Sequence, residues 1–140
     1  MTDQPLLIKC YWDAGWKKWS ESPIYVAHLI EVEEEPIENF KKIDAIAHSS
    51  CQAEYYGLIW AMQYCLRVEE KCVHFLGDNQ TVVRQMQGVY RVDSKGKHPD
   101  IKRLYETAQI EWKKFKIVRI TYIPREKNKA DKLIKAGKKK

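Results

Sequence analysis

The sequence predicts an α/β fold: a mixed five-stranded sheet, with three antiparallel strands followed by alternating helix and strand, covered by helices. Three observations predict it. Stretches rich in β-branched and aromatic residues follow one another closely in the first 47 residues. A helical stripe of apolar side chains begins at about residue 50. Beyond it, short apolar runs alternate with helix-like segments. Closely spaced early strands form an antiparallel meander, whereas strands separated by helices join a sheet in parallel.

Residues 6–16 hold Leu, Ile, Tyr and Trp without helical spacing and read as a strand. Residues 17–23 are polar and read as a turn. Residues 24–32, IYVAHLIEV, form a second strand, broken by three glutamates and Pro36, which cannot pair inside a central strand. Residues 40–47, FKKIDAIA, make a third, weaker strand. From residue 50 to residue 69 the stripe Glu54, Leu58, Ala61, Cys65, Val68 advances by four, three, four and three, the period of a half-buried helix. Ser49 and Ser50 are suitable N-caps. Residues 71–76 read as the fourth strand, closed by Gly77. A second helix covers 79–86, and a loop at 88–98 carries Arg91, Lys95, Lys97 and His98. Pro99 suits the first turn of a helix reaching residue 114. Residues 117–123 form the fifth strand, Pro124 ends it, and Asn128 caps a last helix carrying Ala130, Leu133 and Ile134.

The chain has 140 residues and no repeat or flexible linker, so a single domain over residues 1–137 with a basic tail at 138–140 is expected. No apolar run nears the roughly 18 residues of a membrane span. The N-terminal residues lack the pattern of a secretory signal, which points to the cytoplasm. The four cysteines form no CxxC pair and have no finger-like histidine spacing, so they read as packed thiols rather than a zinc site. The net charge of +6 fits either a polyanionic partner or a well-solvated surface.

Four carboxylates fall where solvated acids do not belong. Asp13 lies inside an apolar strand. Glu54 lies on the apolar stripe of its helix. Asp78 stands where an apolar strand ends, and Asp131 lies in the first turn of the last helix, just before Leu133 and Ile134. Each also has an ordinary reading: Asp13 as a turn residue, Asp78 as a helix cap, Asp131 and Glu54 as favourable charges near helix N-termini. Clustered buried carboxylates repel one another, and either protonation or a bound cation relieves them. Hard oxygen donors suit Mg²⁺ or Mn²⁺. None of the four is close to another in sequence, so spacing alone leaves both readings open.

The stretches IKCYWDAGW, SSCQAEYYGLIWAMQYCL, VHFLGDNQTVVRQMQG and ITYIPREKNKADKLI resemble, in order and in element type, the ribonuclease H type 1 family, and in particular its small branch without a catalytic-loop histidine. The resemblance covers nearly the whole chain. It implies hydrolysis of the RNA strand of RNA–DNA hybrids by a two-metal mechanism that leaves 5′-phosphate and 3′-hydroxyl ends. It implies that Asp13, Glu54, Asp78 and Asp131 are the catalytic, metal-binding set, with two Mg²⁺ or Mn²⁺ ions present when substrate is bound. Asp13 and Asp78 would contact both ions, Glu54 would help orient the attacking water, and Asp131 would hold the ion that activates it. Ser49, Ser50, Cys51, Gln52 and Gln80 map onto minor-groove contacts. Arg91, Lys95 and Lys97 map onto a basic protrusion that touches phosphates. The resemblance carries no obligate protein partner and is compatible with a monomer.

Several positions depart from the family pattern. AGWKKWSESP follows Asp13 in place of a Gly-rich turn. Cys51 stands where an Asn is usual, and a thiol is a poor substitute for an amide. Asn128 and Asp131 are three apart, one fewer than the pattern, which would rotate Asp131 by about 100° around its helix. These departures support an alternative: a catalytically weak or inactive nucleic-acid-binding module on the same fold.

Overall fold

The computed structural model describes residues 6–16, 23–92 and 100–138. Strands β1 (Ile8–Gly15), β2 (Ile24–Ile30) and β3 (Ile37–Ile43) precede helix α1 (Ser50–Arg67). Then come β4 (Cys72–Gly77), α2 (Gln80–Met86), α3 (Asp100–Trp112), β5 (Ile117–Tyr122), a 3-10 turn (Arg125–Lys127) and α4 (Asp131–Lys138). The sheet order is β3-β2-β1-β4-β5. β1 pairs antiparallel with β2, and β2 with β3, while β1–β4 and β4–β5 are parallel. The expected mixed sheet is therefore the one found.

Period-2 alternation decides what each face covers. Cys10, Trp12, Val73, Phe75 and Ile120 point to one face, where Tyr55, Leu58, Met62 and Cys65 of α1 close over them with Val82 and Val83 of α2 and Leu104 and Ala108 of α3. On the other face Tyr11, Tyr25, Ala27, Leu29 and Leu76 meet Ala130 and Ile134, at and after the start of α4. Trp112 packs against the first of these layers, as its place on the apolar side of its helix suggests.

Some boundaries differ from the sequence reading, each for a visible reason. The third strand begins at Ile37, immediately after Pro36, and ends at Ile43. It is an edge strand paired only with β2, so a proline just before it costs no ladder bond, and its IENFKKI pattern is only half-buried. Helix α1 stops at Arg67 because Glu69 adopts a left-handed conformation, φ 63°. Helix α4 runs from Asp131 to Lys138. The polar turn predicted at 17–23 lies, apart from Pro23, outside the described residues, as do Lys95, Lys97 and His98 of the basic loop.

Candidate active site

The parallel pairing of β1 with β4 brings the two strand ends that carry acids to the same edge of the sheet. Asp13 sits in β1 two residues before its end, and Asp78 follows the last residue of β4. Glu54 lies in the first turns of α1, which crosses β1 closely at Gly57. A Cβ there would lie 3.0 Å from the Asp13 carbonyl oxygen, tighter than ordinary packing. One carboxylate oxygen from each of Asp13, Glu54 and Asp78 lies within 4.8 Å of the others. They form the floor of a cleft of about 420 Å³. Ser50 and Asn79, beside the N-termini of α1 and α2, line it from one face of the sheet, and Arg125 and Lys138 line it from the α4 side.

The electrostatics of the three acids are unbalanced. Burial pushes the Asp13 carboxyl up to about 7, with the Asp78 charge adding to the effect and Glu54 and the Ala14 backbone N–H (2.9 Å) opposing it. Burial, then the Asp13 and Asp78 charges, hold Glu54 well above the carboxylate range. Burial raises Asp78 too, although a hydrogen bond from Asn128 and the Arg125 charge work the other way. Oε2 of Glu54 is buried without a hydrogen-bond partner. Three converging hard oxygen donors, together with a buried Glu54 oxygen left without a hydrogen-bond partner, fit a divalent cation of the Mg²⁺ or Mn²⁺ type.

Asp131 occupies the edge of this arrangement. It opens α4, close enough to Asp13 for the two carboxyls to influence each other, but it is not one of the three within 4.8 Å. Its oxygens are taken up by Lys135 Nζ at 2.9 Å and Arg125 Nε at 3.6 Å. Burial raises its pKa, yet these two cations overcome that effect and leave it below its ordinary value.

The residues expected to touch the groove or the phosphates have different surroundings. The Ser49 hydroxyl accepts the Gln52 N–H and caps α1. Gln52 is only 2% exposed, and its side-chain oxygen accepts the His48 N–H; its expected place on the groove surface is corrected to the interior, because the loop before α1 needs that acceptor. Ser50 and Gln80 are exposed, Cys51 is half-buried with its thiol 3.7 Å from Asn79 Oδ1, and Arg91 is exposed. Lys95 and Lys97 lie outside the described residues.

Sequence reasoning missed the main positioning residue. Asn128, 5% exposed, donates from Nδ2 to both the Trp12 carbonyl (2.9 Å) and Asp78 Oδ2 (3.0 Å). Its Oδ1 accepts the Ala130 N–H. It thus ties the turn before α4 to β1 and to Asp78. Its place ahead of the last helix was readable; its reach across 50 residues to Asp78 was not.

The profile of the family described as "Reverse transcriptase-like" matches residues 41–137. The chain belongs to that family. Its fold is that of ribonuclease H: it matches RNase H1 from the halophilic archaeon Halobacterium salinarum with TM-score 0.80 and 24% identity, covering 94% of this chain and 97% of the other. LC11-RNase H1, solved in complex with an RNA/DNA hybrid, matches with TM-score 0.77 and 27% identity over 92% and 94% of the two chains. The "Bifunctional protein Rv2228c" of Mycobacterium tuberculosis is 35% identical over 82 residues, 58% of this chain. The N-terminal RNase H domain of that protein matches in structure with TM-score 0.79 at 24% identity, over 94% of this chain and 93% of the other. The matched segment spans only 21% of the full-length mycobacterial protein. Among the described residues, no helix is long and apolar enough to cross a membrane.

Proposed function

We propose that this protein is an endonuclease that hydrolyses the RNA strand of RNA–DNA hybrids, leaving 5′-phosphate and 3′-hydroxyl ends. The observation that carries the reading is the triad of buried Asp13, buried Glu54 and half-buried Asp78, one oxygen of each within 4.8 Å of the others, together with a buried Glu54 oxygen that has no hydrogen-bond partner. The ribonuclease H1 relatives, one of them solved with an RNA/DNA hybrid, support the substrate class.

Asp13, Glu54 and Asp78 would hold two Mg²⁺ or Mn²⁺ ions, with Asp131 completing the set from the edge of the cleft. When bound, such ions supply Lewis-acid stabilisation of the attacking and leaving oxygens in an in-line displacement at phosphorus. The protein's part is positioning. Asn128 fixes the orientation of the Asp78 carboxylate, and the Ala14 N–H fixes that of Asp13. Ser49, Ser50, Cys51 and Gln80 lie where the hybrid's minor groove passes, and they read the 2′-hydroxyls that distinguish RNA from DNA. Gln52 shapes that surface from inside. Arg91, Lys95 and Lys97 contact phosphates and supply salt-dependent affinity. The protein works as a cytoplasmic monomer.

A second reading, a binding module of weak or no turnover, draws on one observation: Asp131 is already neutralised by Lys135 and Arg125. A cleavage assay on a hybrid labelled in the RNA strand separates the two. The enzyme reading expects RNA-strand cuts with Mg²⁺ or Mn²⁺, none in EDTA and none with Asp78→Asn. Tight hybrid binding with no cleavage in either metal would favour the second reading.

A further inference from the structure

The cleft that holds the acids also contains a lysine that the proposed chemistry leaves without a task. Lys138 reaches it from the last turn of α4, on the sheet face opposite α1. The approach depends on Gly15, where β1 ends. A Cβ at that position would lie 2.7 Å from Lys138 Cε, 2.9 Å from its Nζ and 2.9 Å from Ile134 Cγ2. Any larger side chain would lift α4 or displace the lysine, so the missing side chain is what lets the Lys138 stem cross the strand end. Nζ lies 5.8 Å from the centre of the Tyr25 ring, which supports the stem from below.

The other cations near the site are occupied. Lys135 and Arg125 pair with Asp131, Lys129 with Glu31, and Lys132 with Glu38. Among the described residues no carboxylate forms an ion pair with Lys138. An ammonium group held at the rim of an acidic cleft, yet paired with none of its acids, is available for an incoming anion. A phosphodiester is the anion that the cleft is proposed to take.

We propose that Lys138 is a substrate-binding residue of this cleft. Its Nζ contacts a backbone phosphate of the cut strand beside the scissile one, from the α4 side. The inference rests on the hybrid-cutting reading for the identity of the strand. It does not depend on which residues hold metal. Lysine acts here as a point charge on a phosphate, so its contribution is affinity and salt dependence without base preference.

The test compares Lys138→Met, Lys138→Arg and Lys132→Met with the wild-type chain. Lys132→Met makes the same charge change on the same helix, away from the cleft. Two quantities are read: KM and kcat for cleavage of a labelled RNA–DNA hybrid, and the slope of log Kd against log salt for binding of that hybrid in EDTA. Lys138→Met should raise KM about tenfold with kcat within about twofold, the loss expected for one charge-assisted contact. It should also make the salt slope shallower by about one, as removal of one phosphate contact does. Lys138→Arg should restore both, and Lys132→Met should leave both near wild type. Cleavage by the wild type together with an unchanged KM and slope in Lys138→Met, or equal effects of Lys138→Met and Lys132→Met, would overturn the role of Lys138 alone. A wild type that never cuts would overturn the hybrid-cutting reading, and the binding slopes would still decide Lys138.

Discussion

Glu54 and Asp131 carry the same functional group and are both buried as residues, 6% and 9% exposed, but the Asp131 carboxyl lies nearer the surface. Their proton affinities nevertheless move in opposite directions. Burial raises both. Around Glu54 the neighbouring charges are Asp13 and Asp78, which add to the effect. Around Asp131 they are Lys135 and Arg125, which reverse it. Deeper burial of the carboxyl and the missing countercharge together set Glu54 apart from Asp131. The triad lacks positive charge that a divalent cation would supply, whereas Asp131 has drawn most of its compensation from the chain.

The sharpest way to break this comparison is to remove one acid from each region. Asp78→Asn should reduce RNA-strand cleavage to background with the circular dichroism spectrum unchanged. Asp131→Asn should lower kcat by only roughly ten- to a hundredfold, the range seen when a supporting group around a metal is lost. Equal losses in the two variants would place Asp131 on the same footing as the triad.

Next in size is Asn128. Asn128→Ala removes the hydrogen bond that orients Asp78 and leaves the Trp12 carbonyl short of a donor. It should lower kcat about tenfold and destabilise the fold by about 1–3 kcal/mol. Stopped assays and thermal melts read the two effects separately.

A smaller effect, with a defined sign, lies in the pH dependence of stability without metal. Asp13 binds its proton at about 7 in the fold but near about 4 in the unfolded chain. Between those values the native state holds more protons, so this group makes the protein less stable as pH rises. Asp13→Asn should therefore melt above wild type at pH 8 and nearly level with it below about pH 4.5. Burial, with the Lys41 and Arg67 charges, lowers His28 to about 4 and gives an opposite trend below about 6.5. That contribution cancels in the difference between the two proteins. Millimolar Mg²⁺ should erase the advantage of Asp13→Asn at pH 8.

The smallest effect belongs to Lys135, an exposed partner of Asp131. Lys135→Met should change the melting temperature by no more than about 2 °C. It should return the Asp131 carboxyl toward its ordinary value, which NMR titration of the carboxyl carbon would read.

Much of this was legible because local pattern and burial agreed. Of the strand read over residues 24–32, the run IYVAHLI is buried at every position and forms β2. Glu54 stood out because an acid interrupted an otherwise apolar helical stripe. Asp13 stood out for the same reason in a strand. The third strand was misplaced because an edge strand has one neighbour, needs little apolar alternation and tolerates a preceding proline. What could not be read was side-chain reach across the sheet. Asn128 to Asp78 and Lys138 to Gly15 join residues far apart in sequence, and nothing near either position records the partner. The cations that neutralise Asp131 were not singled out in the sequence, because only the start of α4 at Asp131 puts Lys135 one turn away.

A cation site built on uncompensated charge must bind metal and give up protons as it does so. Calorimetric titration of Mn²⁺ at pH 7, repeated in buffers of different ionisation enthalpy, reads both. Saturable binding to the wild-type protein with net release of protons is expected, with loss of both in Asp78→Asn. Equal heats in the two proteins, or no binding to wild type, would contradict such a site.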